Sequence, residues 1–382
     1  MQTIAIFSGY YLPHLGGVER YTYNLAKKLN GMGYKIIIIT SRYNKDLKEI
    51  EETDYAKIVR LPTYKIVSER YPINKPNKRC KELLEMVKKE NINSVIIQTR
   101  FWTTSYIASK FIQKNNIPAC LIEHGSTHFT VNNKVLDFFG EIYEHQLTNS
   151  IKKRVKDYYG VSKRCTEWLK HFNIKAKGVF YNSVNTDEIE KYIKYINKDT
   201  GKIVITYTGR MIEEKGVLRL IEAFKNLDKK YSNLELNLAG DGPILEKVIQ
   251  DNKEIPNIKI YGKISHEEVL KLLARTNIFV NPSHFSEGLP TTILEAGMMK
   301  CAVVATPMGG TVEIISNEDI GYICGFETEE IQDKIEKIIN DKNKMINMGI
   351  NIERKVKEEF SWDVTAKKIA NTIKYNKRGR KK

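Results

Sequence analysis

The 382-residue sequence predicts an α/β protein made of two doubly wound parallel-sheet domains. Three observations carry that prediction. The length suits two domains of ordinary size, each able to bury its own core. Short apolar runs alternate with amphipathic stretches of helical period through the first half, break off in a linker near 183–200, and then begin again. Glycine-containing turns stand at the ends of these runs, at the edge where parallel sheets bind ligands. No sequence repeat links the halves, and only the architecture recurs.

Composition narrows the class. Hydrophobic content of 41% with 28% charged residues is that of a soluble globular chain, and no apolar run approaches the roughly 18 residues of a membrane span. Met1 to Ser8 lacks a basic lead and a long apolar core, so it reads as a first strand and not as a signal peptide. The five cysteines are odd in number and scattered, without a Cys-x-x-Cys pair. They argue against a zinc site and for a reduced, cytoplasmic setting. The net charge of +16 is unevenly spread: +14 over residues 1–185, −5 over 186–360 and +7 over 361–382. Such asymmetry fits either a lysine-rich solvated surface or a lobe that faces an anionic partner, and the inner face of the cell membrane is one such partner. Without a recognised binding motif or an aromatic-interleaved basic stripe, specific nucleic-acid binding is not expected.

In the first half a strand over 3–7 leads through Gly16-Gly17-Val18-Glu19-Arg20 into a helix to about Asn30, which Gly31 and Gly33 end before a buried strand at 36–39. The glycine pair suits a bare tight turn or a backbone that admits a ligand closely. Strands follow at 57–61, 94–98 and 118–123, with helices at 79–91 and 103–115. The last of these strands ends in Glu123-His124-Gly125-Ser126, again at a carboxyl edge. Residues 126–150, with His128, Phe129, Tyr143 and His145, read as helix and loop without an assigned role. Ile151 to Lys156 reads as a basic loop before the strand-like Tyr158 to Ser162.

The second half offers strands at 203–208, 234–239, 257–261, 277–281, 302–305 and 320–323. After the first of them, Gly209-Arg210 and Lys215-Gly216 put a planar guanidinium and a compact ammonium on one loop, a pair suited to a diphosphate. Leu238 to Pro243 is a glycine turn, and Tyr261 to Ser265 a loop before a helix. Ile278-Phe279-Val280 then runs through a loop into His284-Phe285-Ser286-Glu287-Gly288-Leu289-Pro290-Thr291-Thr292-Ile293-Leu294-Glu295-Ala296. Pro290 marks a helix start, which leaves free N–H groups around Gly288 to Thr292, an anion site. Carboxylates beside such a site call for a ligand rich in hydroxyls. Glu287 and Glu295 therefore point to a molecule that is phosphate at one end and polyhydroxylated at the other, as a nucleotide sugar is. Met298 reads as core. Ser361 reads as the cap of a last helix, with Trp362 packed at its start, and Lys377 to Lys382 as a basic tail too short and too charged to fold.

Glu287 and Glu295, separated by seven residues and enclosing Gly288-Leu289-Pro290, resemble the signature of the family-4 retaining glycosyltransferases, and about seven motifs follow that family's order. The resemblance implies the GT-B fold: two Rossmann-like domains facing across a cleft, with a C-terminal helix that crosses back to the first. The domains would be 1–185 for the acceptor, 186–360 for the nucleotide sugar, and 361–382 for the crossover helix and tail. It implies that Gly16 and Gly17 lie against the donor diphosphate, that His124 reaches the donor sugar, and that Arg210 and Lys215 hold the diphosphate without a metal. It further implies that backbone around Ile264 reads the base, that Glu287 contacts sugar hydroxyls, and that Glu295 holds the ribose beside Gly288, Leu289, Pro290 and Thr291. No cofactor is implied, since the nucleotide sugar is a substrate. The implied reaction moves a sugar, with retention, to a glycan or lipid-linked acceptor. A soluble acceptor is the other reading, as is an epimerase or hydrolase of the same fold, which would need catalytic carboxylates in the first domain, where none stands out.

Overall fold

The computed structural model describes residues 1–64, 71–130, 133–198, 201–285 and 288–379. The chain forms two compact units, Met1–Asn182 joined by the segment from Trp362 onward, and Ser183–Ser361.

In the first unit the alternation begins with β1 (Gln2–Phe7), α1 (Gly17–Gly31), β2 (Tyr34–Arg42), β3 (Ile50–Glu52) and β4 (Lys57–Pro62). It continues through α2 (Lys78–Lys89), β5 (Ile92–Gln98), α3 (Thr103–Asn115) and β6 (Ala119–Glu123). It closes with α4 (Lys134–Lys152), β7 (Asp157–Gly160), α5 (Lys163–Lys170) and β8 (Gly178–Val179). The sheet order is β3-β4-β2-β1-β5-β6-β7-β8, parallel except for the β3–β4 pair. Ile36 to Ile39 and Val95 to Ile97 are fully buried, the continuous apolar runs that a sheet covered on both faces requires. The basic run expected as a loop at 151–156 is in part helix, because α4 extends through Lys152 with Ile151 in the core.

In the second unit come α6 (Thr186–Glu190), β9 (Ile203–Thr208), α7 (Val217–Asp228), β10 (Leu234–Ala239) and α8 (Leu245–Asn252). Next are β11 (Ile258–Gly262), α9 (His266–Leu273), β12 (Ile278–Asn281), α10 (Thr291–Met298) and β13 (Ala302–Ala305). The unit ends with α11 (Thr311–Ile314), β14 (Tyr322–Ile323), α12 (Thr328–Ile339) and α13 (Lys342–Glu359). Its sheet is parallel throughout, in the order β11-β10-β9-β12-β13-β14. Crossing from β9 to both β10 and β12 makes β9 the strand at which the order reverses, where open sheets hold ligands.

The last helix, α14 (Trp362–Gly379), returns to the first unit. Trp362 is buried with its ring 4.8 Å from Tyr21 of α1, and Ala366, Ile369 and Ala370 share the core of β1 and α1. Asp363 pairs with Lys28 at 2.7 Å. The expectation of an unfolded tail from Lys377 is corrected here, since the helix runs to Gly379; once its apolar stripe is docked, lysine and arginine are good residues with which to continue it. Arg380 to Lys382 lie outside the described residues. All five cysteines are buried free thiols. Among the described residues no helix is long and apolar enough to cross a membrane.

Candidate active site

The loops at the carboxyl edge of the second sheet are locked to one another through backbone. Gly209 N donates to Ala239 O at 3.0 Å, Met211 N to Asp241 O at 2.8 Å and Gly240 N to Gly262 O at 2.8 Å. A Cβ at Gly240 would run into the Gly209 carbonyl, so this glycine is required by the neighbouring turn and not by a ligand. Gly216 holds φ 72° with the Pro282 carbonyl where its Cβ would be. That close approach ties the Arg210–Lys215 loop to the loop after β12. His284 N donating to Glu214 O at 2.9 Å makes the same tie.

Both cations predicted from sequence therefore stand on a fixed loop. Arg210 is exposed, while its carbonyl accepts from Tyr207 Oη at 2.8 Å. Lys215, at the end of a short 3-10 turn, holds its ammonium 5.2 Å from the Phe285 ring centre. The Thr208 hydroxyl, buried at the end of β9, has no protein partner among the described residues. Pro290 is extended and stands one residue before α10, so that helix begins at Thr291 with no side chain capping it. Its first N–H groups are left for an anion. Gly288 is held by Gly310 N, which donates to its carbonyl at 2.7 Å, and Leu289 is buried. Glu287 lies outside the described residues.

Glu295, on α10, accepts from or shares a proton with His266 Nε2 at 3.1 Å. His266 opens α9 directly after half-buried Ile264 and exposed Ser265, whose hydroxyl forms a capping box with Glu268. The expected base-reading loop and the expected ribose carboxylate are thus neighbours.

In the first unit the predicted residues meet a different environment. Gly16 is extended at φ −139° and precedes the first turn of α1, which Gly17 opens. The anion position at that helix N-terminus is filled by the chain itself: Glu19 is buried there, bonded to the amides of Gly16 and Glu19, with His14 at 3.6 Å. Burial raises its carboxyl above the ordinary value despite those donors. His124 follows β6. Its ring meets Tyr21 of α1 edge-on at 4.7 Å, and its Nε2 lies 2.7 Å from Gln98 Oε1. Desolvation pushes this imidazole down to about 3, so it is neutral at physiological pH. The Gln98 amide nitrogen is buried without a protein partner among the described residues.

Sequence reasoning missed the group that holds this loop. Arg100, fully buried, places one guanidinium nitrogen 2.9 Å from Glu123 and another 2.9 Å from Glu144. Glu123 accepts from the amides of His124 and Gly125, and Glu144 from that of Phe129 at 2.8 Å. Two of the three buried carboxylates in this stretch are therefore committed to a guanidinium.

Two Rossmann-like units of parallel sheet, one of them carrying paired cations and an uncapped helix start on one edge, are the build of a GT-B glycosyltransferase. The profile of the group 1 glycosyl transferases matches residues 188–355 and that of glycosyltransferase family 4 matches residues 15–188. The chain belongs to the family-4, group 1 glycosyltransferases. An uncharacterised glycosyltransferase of Methanocaldococcus jannaschii is 27% identical over 95% of this chain and 96% of its own. The phosphatidylinositol N-acetylglucosaminyltransferase GPI3 subunit of Saccharomyces cerevisiae is 22% identical over 88% of this chain and 75% of its own. Among solved structures, Anabaena HepE in complex with UDP shares the fold at a TM-score of 0.72 and 15% identity, over 98% of this chain and all of that one.

Proposed function

We propose that this glycosyltransferase moves a hexose-type sugar from a nucleotide diphosphate, UDP before GDP, to a hydroxyl of a glycan or lipid-linked acceptor in cell-surface polysaccharide or glycolipid assembly. The observation that carries the reading is the clamped loop of Arg210 and Lys215 beside the uncapped start of α10. As the bond from the anomeric carbon to the diphosphate breaks, negative charge gathers on the leaving oxygen. Two fixed cations and the helix amides stabilise it without a metal bridge. The acceptor oxygen forms the new bond from the face the diphosphate leaves, which retains configuration, and the acceptor proton passes to a phosphate oxygen. Glu287 and neutral His124 position the sugar, and Glu295 the ribose. The UDP bound to HepE supports the choice of nucleotide.

A lipid-linked acceptor is favoured over a soluble one by the first half of α4. Val135, Leu136, Phe138, Phe139 and Ile142 are all exposed there, on a unit whose sequence is strongly basic. Together they suit an anionic membrane with acyl chains beneath it. The yeast relative named above takes its name from a phosphatidylinositol substrate.

The test is a thermal-shift panel of UDP-, GDP- and ADP-sugars with Arg210→Ala as control, because a ligand of the folded state raises its melting temperature. A shift with UDP-sugars that the variant loses supports the reading. A folded chain that no nucleotide sugar shifts overturns it.

A further inference from the structure

Three histidines that no motif connects come together at α4. His145 lies within that helix, His128 in the loop that joins β6 to it, and His171 at the C-terminal end of α5. One ring nitrogen from each lies within 4.8 Å of the others. The Nε2 atoms of His145 and His171 are 3.1 Å apart. Two nitrogens bound to one tetrahedral zinc at about 2.0–2.1 Å stand about 3.3 Å apart, so this spacing already fits a shared ion.

The surroundings also fit. Glu144 Oε2 lies 3.0 Å from His128 Nδ1, which then donates to it and keeps the Nε2 lone pair free. Glu144 is in turn fixed by Arg100 at 2.9 Å and by the Phe129 amide at 2.8 Å. A carboxylate that orients an imidazole from behind is the usual outer shell of a histidine-bound metal. Trp168 stacks on His171 with ring centres 4.8 Å apart, and Phe172 lies 4.8 Å from the His145 ring, which walls the cluster with apolar surface. His171 is exposed, giving an ion an entry path and a water its fourth position.

We propose that His128, His145 and His171 bind a divalent transition-metal ion, zinc by preference, which pins α4 to α5 and to the loop after β6. Three imidazoles select zinc, copper or nickel over magnesium or calcium. The ion is structural: it sets the helix that carries the exposed apolar face, and it belongs to the first unit, while the residues proposed to hold the diphosphate belong to the second.

The experiment is calorimetric titration of Zn²⁺ into the untagged full chain after chelator treatment, with Co²⁺ substitution read by its visible d–d bands. One equivalent should bind at micromolar Kd or tighter, raise the melting temperature, and give a tetrahedral cobalt spectrum. His145→Ala and the exposed His171→Gln should each weaken binding at least tenfold and lose the cobalt bands, while the far-UV spectrum and the UDP-sugar shift stay unchanged. If His145→Ala fails to fold, His171→Gln decides. A folded chain with no saturable Zn²⁺ binding, or Zn²⁺ binding that His171→Gln leaves intact, overturns the proposal.

Discussion

The carboxyl edges of the two sheets share main-chain ties but differ in what reinforces them. In the second unit the loops are held by main chain against main chain: Gly209 on Ala239, Gly216 against Pro282, His284 N on Glu214 O. In the first unit, main-chain ties such as Thr99 N on Ile122 O and Val161 N on Glu123 O are joined by buried charged side chains, with Arg100 between Glu123 and Glu144 and with Glu19 at the start of α1. An edge held by backbone alone presents the same amides and carbonyls whatever side chains surround it, which suits the diphosphate proposed to bind there. An edge that also rests on buried charged side chains is remodelled when those side chains are substituted.

Breaking each edge sharpens the contrast. The largest effect is expected for Arg100→Met, which strands two buried carboxylates and should cost about 3–5 kcal/mol by denaturant unfolding. A loss under 1 kcal/mol would mean that the first edge does not rest on this guanidinium. Next is Gly240→Ala, whose methyl group meets a carbonyl; a loss of at least about 2 kcal/mol is expected, and full stability would show that the interlocked turns can slide. Lys215→Ala should lower turnover well over tenfold with an unchanged melting temperature. Near-normal turnover would remove this lysine from the diphosphate site.

The smallest effect concerns Glu19. Its carboxyl is raised in the folded state, so the folded chain binds this proton more tightly than the unfolded one. The ionised form thus costs stability above the raised value, and that cost fades as pH falls towards the ordinary carboxylate value. Glu19→Gln should therefore melt slightly higher than the wild type at about pH 8, with the gap closing by about pH 5. A gap that widens on acidification would reverse the assignment.

Which features were legible in the sequence follows from their range of interaction. The buried parallel strands announced themselves because both faces are covered, as in Ile36 to Ile39. The exposed antiparallel edge β3, with Glu51 and Glu52, and the two-residue β8 carry too little pattern to be read. The run 320–323 yielded only Tyr322–Ile323 as strand. In the second unit the turns at Gly209-Arg210, Lys215-Gly216 and Gly288 could be read because their geometry is encoded within a few residues, while their proposed ligand is not. Arg100 and Glu144 were not, since each is an ordinary surface-type residue until the fold places it against the other. The histidine cluster draws on residues 17 and 26 positions apart on three separate segments, a spacing that no local motif encodes.

The return of α14 also orders events in time. The core around Tyr21, Leu25 and Leu29 includes Trp362, Ala366 and Ile369, more than 300 residues downstream. On the ribosome, the first unit must wait with an apolar groove along α1 uncovered until the segment from Trp362 has emerged. The contiguous segment Ser183–Ser361 is able to close its sheet sooner. The half of the enzyme made first is thus the half completed last, and the exit tunnel and the chaperones beside it meet that groove throughout the interval.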